Sequence, residues 1–552
     1  MERKNYTVAV DLGSSSVVVA VGEVREDGRM QVAAVVSKPV EGVNAGRIDN
    51  IELVSRAIRE AVSEVEAQLG IRITEAYAGI SGDFVRCARH TDHVYVSDPE
   101  TGVSQKDVDA LFDRMRNVQA PDDETIMERI PQNYMVDDNQ EVKNPVGSFG
   151  KKLSSTFNFI LCHKMPVQRL DMALKRLSIK MLGVFADALA TPEALLLPEE
   201  KEEGVAVVDL GAGVTDVTVY YRNVVRYTVS IPMGASAINR DIRTMGVPEK
   251  HVESLKRRYG SAVAELAPED KLIRVNGRTA REAKDILLRN LATVIEARAT
   301  DIAEFVQQEI KDSGYASKLA YGIVLTGGSA QLKDLDELFR RVTEMDVRVA
   351  VPDVGLADES REIVADPAYA TAAGILLKGA AQGACAVVEF ASPAAPAASA
   401  QTAQGPAVQI PAAPARTAAP RGASETRRGF VSPTAAARPA AQPAPQPTAQ
   451  PAPAPRPVQP RTAQPRPVQP RQPEQPETPA PAAPTARPIR QAVPPQPEPR
   501  QPLAAPEIPE IPEEEERTVV IDTRRKRDWS SIFQKAFDKV NQSFTAAEDE
   551  EI

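Results

Sequence analysis

The sequence predicts an α/β protein of two related domains, followed by a long segment that lacks a core and by a terminal amphipathic helix. Three observations carry that expectation. The stretch VAVDLGSSSVVVAV near the N-terminus returns about 200 residues later as AVVDLGAGVTDVTV, a strand, a Gly-rich turn and a strand in each copy. A third Gly-rich turn, in YGIVLTGGSAQLKDLDELF, joins an apolar strand to a helix. Prolines are concentrated, with 33 of the 46 lying between Ser392 and Pro512.

The elements follow in order. Residues 6 to 36 read as the strands YTVAV, SVVVAVGEV and MQVAAVV, with a turn at Glu26-Asp27-Gly28. From Ile51 to about Leu69, the residues Leu53, Ala57, Ile58, Ala61, Val62 and Val65 recur at helical spacing on one face, and the strand EAYAGIS follows. The second copy, GVAVVDLGAGVTDVTVYYRNVVRYTVSIPMG, repeats the three-strand scheme and runs into helices from Ala237 onward. Between the copies, about residues 85 to 165 break the scheme with the strands HVYVS and STFNFILC and a helix, so a small inserted α+β subdomain is expected there.

Composition narrows the function classes. A net charge of −10 argues against a nucleic-acid binder. Cys87, Cys162 and Cys385 have neither metal spacing nor a paired framework, which fits core residues in a reducing compartment. No window approaches the roughly 18 apolar residues of a spanning helix, and MERKNYTVAVDLG enters a strand with no apolar leader, so a cytoplasmic protein is expected. The Pro, Ala, Gln and Arg tract, in which PRPVQPR occurs twice, cannot bury enough surface to offset its ordering entropy. It is expected to be a disordered linker over 389–516, leaving a globular part up to about residue 388.

Three Gly-rich turns suggest a phosphate site. Triphosphate binding needs backbone N–H donors around the oxygens, supplementary hydroxyls and a divalent ion to offset charge. Gly13, Ser14, Ser15 and Ser16 on one turn and Gly211, Ala212, Gly213 and Thr215 on the other could form a symmetric clamp. Asp11 and Asp209 would reach a hydrated magnesium. A single DLG turn is better explained as a hairpin with a strand-end aspartate; the duplication, with LTGGS, favours the clamp. The absence of a Walker lysine motif and of GxGxxG after the first strand points away from P-loop and Rossmann proteins.

The segment RRKRDWSSIFQKAFDKVNQSF has its own pattern. Trp529, Ile532, Phe533, Ala536, Phe537, Val540 and Phe544 step by three and four, behind the basic run Arg524, Arg525, Lys526 and Arg527. A basic cluster beside an aromatic face reads as a helix over 524–545 lying in the interface of an anionic membrane. The competing reading is a helix that docks on the globular part or on a partner.

In this order, DLGSSSV, DLGAGVTD and LTGGSAQL resemble the two phosphate loops and the adenosine loop of the actin, heat-shock chaperone and sugar kinase superfamily. GVNAGRIDNIELVSRAIREAVSEVE, AYAGISGDFV, LKRRYGSA, VIEARATDI and AYATAAGILL extend the resemblance, over about residues 5 to 380, to the FtsA family of actin-like bacterial division proteins. The resemblance implies an actin-like ATPase fold. Subdomain IA would take 1–84 and 166–200, an SHS2-like 1C insert 85–165, subdomain IIA 201–236 and 318–388, and subdomain IIB 237–317.

The same resemblance implies ATP and Mg as ligands. Gly234, Gly327, Gly328 and Ser329 would contribute to the nucleotide site, Glu253 and Lys256 would contact adenine and ribose, and Asp187 would orient water. Two positions depart from the family pattern: Ser16 stands where many members carry a lysine, and Ala212 replaces the second glycine of GGG. Activity would be at most a weak ATPase. The implied partners are the FtsZ C-terminal tail, further copies of the chain in protofilaments, later divisome membrane proteins and an anionic lipid surface. The implied location is the cytoplasmic face of the inner membrane at the division septum. A PilM-like pilus-assembly adaptor and a chaperone-type actin-fold ATPase remain as alternatives, the second requiring a substrate-binding domain after the core.

Overall fold

The computed structural model describes residues 5–138, 140–275 and 283–389. The expected linker and the 524–545 helix lie outside the described residues. Among the described residues no helix is long and apolar enough to cross a membrane.

The first domain opens with the strands β1 (Tyr6–Leu12), β2 (Ser16–Val24) and β3 (Met30–Pro39), an antiparallel meander of β-branched residues. Helix α1 (Ile51–Leu69) starts where the Asn50 side chain accepts hydrogen bonds from the Glu52 and Leu53 amides, and it ends at Gly70 with φ of 67°. Its buried face is Val54, Ala57, Ile58, Ala61, Val62 and Val65, with Ser55 buried as well and donating to the Ala173 carbonyl. Strand β4 (Glu75–Ile80) then pairs parallel to β1.

The insert follows as β5 (Val85–Tyr95), α2 (Gln105–Asn117), β6 (Glu124–Val136), β7 (Gln140–Val142) and β8 (Lys152–His163). Leu111 and Met115 of α2 are fully buried against Leu153, Phe157 and Phe159 of β8 and their neighbours. The chain returns through α3 (Lys164–Lys175), β9 (Lys180–Ala186) and the one-turn helix α4 (Asp187–Ala190).

The second domain repeats the first. Strands β10 (Val205–Leu210), β11 (Thr215–Tyr221) and β12 (Val224–Ile231) form the meander, and helices α5 (Ser236–Thr244), α6 (Glu249–Tyr259) and α7 (Leu288–Asp312) follow. Strands β13 (Ile323–Thr326) and β14 (Val347–Val349) then add in parallel, and α8 (Ala370–Gln382) returns to the first domain, where Ala372, Ile375 and Leu376 join its core. The first sheet runs β9-β4-β1-β2-β3 and the second β14-β13-β10-β11-β12, one layout used twice.

The registers coincide as well. Asp11 faces Val18 across the first hairpin, and Asp209 faces Asp216 across the second. The insert shares a sheet with the second domain. Its sheet, β7-β6-β8-β5, is continuous with the second domain's sheet through a β5–β12 pairing at Arg86 and Val229. The edge of β12 is thereby covered, a tertiary pairing that sequence periodicity does not encode. Below the cleft, Ile80, Phe84, Ala186, Leu189, Val205, Val207 and Val324 form an apolar floor shared by both domains.

Candidate functional site

The two hairpin tips turn in the same way. The Gly13 amide donates to the Ser16 carbonyl at 2.9 Å, and the Gly211 amide to the Val214 carbonyl at 3.0 Å. The tips approach each other so closely that a Cβ on Gly213 would stand 2.5 Å from Ser14 Oγ. Ser14 Oγ in turn accepts from the Gly46 amide at 3.1 Å. The third turn leaves β13 with Gly327 at φ of +87°, where a Cβ would lie 2.3 Å from Asp209 Oδ1, so glycine is required on both counts. Ser329 Oγ donates to the Gly211 carbonyl at 3.1 Å and ties the third turn to the second.

These turns line a cleft of about 1400 Å³, above the ~300–1,000 Å³ of most small-molecule sites. Gly13, Ser14, Ser15 and Ser16 face it from the first domain, and Gly211, Ala212 and Gly213 from the second. Gly327, Gly328 and Ser329 close one side, and Glu253 and Lys256 come from α6. Two expected residues lie behind the lining. Thr215 is fully buried and its hydroxyl donates to the Met233 carbonyl at 2.7 Å. Gly234 packs under the second tip, where a Cβ would meet the Gly211 carbonyl at 2.5 Å. The ten expected membrane residues, Arg524 to Phe544, lie outside the described residues.

Four carboxylates stand on the cleft floor: Asp11, Asp187, Asp209 and Asp216. Burial, with Asp209 and Asp216 nearby, pushes Asp11 up to about 7. Burial pushes Asp216 up to about 7 as well, against the hydroxyls of Ser230 and Ser81 that favour its ionised form. Asp209 is raised by burial, although its Oδ2 accepts from Thr371 at 2.8 Å and Thr191 at 3.0 Å. Asp187 is held well above the ordinary carboxylate range by burial and by its three acidic neighbours. Its Oδ1 meets no donor among the described residues.

Four carboxyl groups whose ionisation is opposed by burial and, chiefly for Asp11 and Asp187, also by acidic neighbours suit a bound cation, which would favour their charged forms. Lys256 also lines the cleft, but its ammonium is 2.8 Å from Glu253 Oε2 and already paired. Burial disfavours the Glu253 carboxylate, yet the Lys256 charge leaves its pKa below the ordinary value. Among the described residues no three His, Cys, Asp or Glu side chains are arranged to hold a metal directly. A magnesium that keeps most of its water fits such a floor, because two carboxylates can reach it through that water. The hairpin amides and Ser14 to Ser16 hydroxyls fit phosphate oxygens beside it.

Asp216, Thr191, Thr371 and Asn239 also face the cleft, or bond to residues that do, and sequence reasoning missed them. Only Asp216 carried a signal, an acidic residue inside an otherwise β-branched and aromatic strand.

Residues 206–374 match the family described as cell division protein FtsA, and residues 82–161 match the SHS2 domain inserted in FtsA. The cell division protein FtsA of Pseudomonas aeruginosa is 31% identical over 375 residues, which cover 67% of this chain and 88% of that protein. That of Escherichia coli K12 is 31% identical over 386 residues, covering 68% and 90%. Among solved structures, the PilM-PilN type IV pilus biogenesis complex superposes with a TM-score of 0.47 at 14% identity, covering 68% of this chain and 98% of that one.

Proposed function

The chain belongs to the FtsA family of cell division proteins, and from that premise we propose that it is an ATP-binding adaptor whose nucleotide, held with hydrated magnesium between two domains, governs its assembly into protofilaments. The observation that carries this reading is the pair of like-folded hairpin tips meeting above four carboxylates, Asp187 and Asp216 buried and Asp11 and Asp209 half-buried. The bound ion would offset charge that the chain's own groups leave unbalanced. Gly13 and the amides of Ser14 to Ser16 bind phosphate oxygens from one domain, and Gly211 to Gly213 bind them from the other. Asp11 and Asp209 orient the ion's water.

Because both tips grip one ligand, binding favours the closed arrangement of the domains, and a filament contact that requires this arrangement gains affinity accordingly. Asp187 faces the same cleft and is the group able to orient an attacking water. Burial and its three acidic neighbours hold its pKa above the ordinary carboxylate range, and the family reading gives at most a weak ATPase.

Family membership further supports a tether between the FtsZ C-terminal tail and the inner membrane, with recruitment of later division proteins. The aromatic and basic pattern of 524–545 supplies the membrane part of that reading. The test is calorimetric titration of the full chain with ATP, with magnesium and with chelator, alongside sedimentation of filaments. Magnesium-dependent binding that promotes sedimentation is expected; a chain that binds no nucleotide overturns the proposal.

A further inference from the structure

Asn239 lies near the start of α5, the helix fastened at its beginning to the second hairpin tip. There the Ala235 amide donates to the Gly211 carbonyl at 3.1 Å and the Ser236 amide to the Ala212 carbonyl at 2.7 Å. Asn239 Nδ2 donates to Glu253 Oε2 at 2.7 Å, the oxygen that also pairs with Lys256. A carboxylate can only accept, so this contact fixes the amide with its nitrogen toward Glu253 and its oxygen away. That oxygen, Oδ1, is buried and meets no donor among the described residues, while the side chain borders the cleft.

A buried acceptor without a donor is costly, and in a ligand cleft the missing donor can come from the ligand. Phosphate oxygens offer no such donor. Asn239 is three residues beyond Ser236, about 4.5 Å along the helix axis from the phosphate tip. In a nucleotide the group at that remove from the phosphates is the sugar, with its hydroxyls; the base lies one group further. We propose, on the reading that the cleft holds ATP, that Asn239 Oδ1 accepts a ribose hydroxyl beside Glu253 and makes the cleft select ribonucleotides.

The wild-type full chain is titrated with ATP and with 2′,3′-dideoxy-ATP, both with magnesium. Loss of the hydroxyls leaves Oδ1 unpaired, so dideoxy-ATP is expected to bind at least about tenfold more weakly. In Asn239→Leu, and in Asn239→Ala should the leucine impair folding, ATP weakens about tenfold while dideoxy-ATP changes little, and the ratio shrinks. Equal binding of the two nucleotides by wild type overturns this inference and leaves the ATP reading intact. A wild-type ratio that persists in the variants also overturns it, since Glu253 alone would then read the sugar. Binding of neither nucleotide removes both.

Discussion

Ser81, at the end of a first-domain strand, donates its hydroxyl proton to Asp216 of the second domain, Oγ to Oδ2 at 2.6 Å. The bond crosses the cleft floor, and the other oxygen of Asp216 accepts from Ser230 within its own sheet. Asp216 is therefore anchored at home and clasped from across the cleft. Ser81→Ala removes the clasp and leaves a buried carboxylate with one partner, a loss worth about 1–3 kcal/mol. The melting temperature is expected to fall by several degrees, and hydrogen exchange to rise on both sides of the cleft. Exchange unchanged in the second domain would show that the bond does not hold the domains together.

The cleft carboxylates also set a pH dependence. Asp11 and Asp216 are pushed up to about 7 from an ordinary 3.8, so the folded chain keeps protons that the unfolded chain releases. The stability tied to these protons is full below the ordinary value and is lost as pH rises through about 7. Without nucleotide, the chain should therefore melt a few degrees higher at pH 6 than at pH 8. Magnesium with ATP, bound as proposed, would favour the ionised carboxylates and should reduce or reverse the difference. Asp216→Asn should flatten the nucleotide-free profile, and melting independent of pH in the wild type would contradict the assignment.

The parts of the two-domain fold legible in the sequence were those set by local pattern. The helix over Ile51–Leu69 agrees with its apolar spacing and its Asn50 cap, and the two meanders agree with their β-branched runs and turns. The duplication was legible because both copies keep Asp, Leu and Gly in one register. Contacts between distant segments were not. The joining of the insert's sheet to β12 depends on one edge finding another, and the Asn239–Glu253 bond depends on how two helices cross. Thr191 and Thr371 reach Asp209 from 18 and 162 residues away, and nothing in their own neighbourhoods announces it.

Gly79, on β4, offers a test of how Asp187 is seated. A Cβ there would stand 2.1 Å from Asp187 Oδ1 and 2.6 Å from Ile375 Cδ1. Gly79→Ala must push the carboxyl aside, and overpacking of this kind costs about 1–3 kcal/mol. Asp187→Ala alone vacates the space, so the double variant should recover at least half of the melting temperature lost in Gly79→Ala. Additive losses in the double variant would mean that the two side chains do not compete for the same space.

The terminal segment yields the prediction furthest from the cleft. If 524–545 is an interfacial helix, affinity for anionic vesicles has two separable parts. The run Arg524 to Arg527 contributes about 1 kcal/mol per charge near the surface, and it is screened by salt because the charges remain in water. Trp529, Phe533 and Phe537 contribute through apolar burial, about 1.5–3 kcal/mol for each side chain fully removed from water, and that part is insensitive to salt. Full-length protein should therefore pellet with phosphatidylglycerol vesicles, and a chain ending before Arg524 should stay in the supernatant. Neutralising the four basic residues should weaken pelleting and abolish most of its salt dependence, whereas Phe533→Ala should weaken it at least tenfold and leave the salt dependence in place. A helix docked on the globular part would behave otherwise: truncation would lower the melting temperature of the domains and leave vesicle binding as it was.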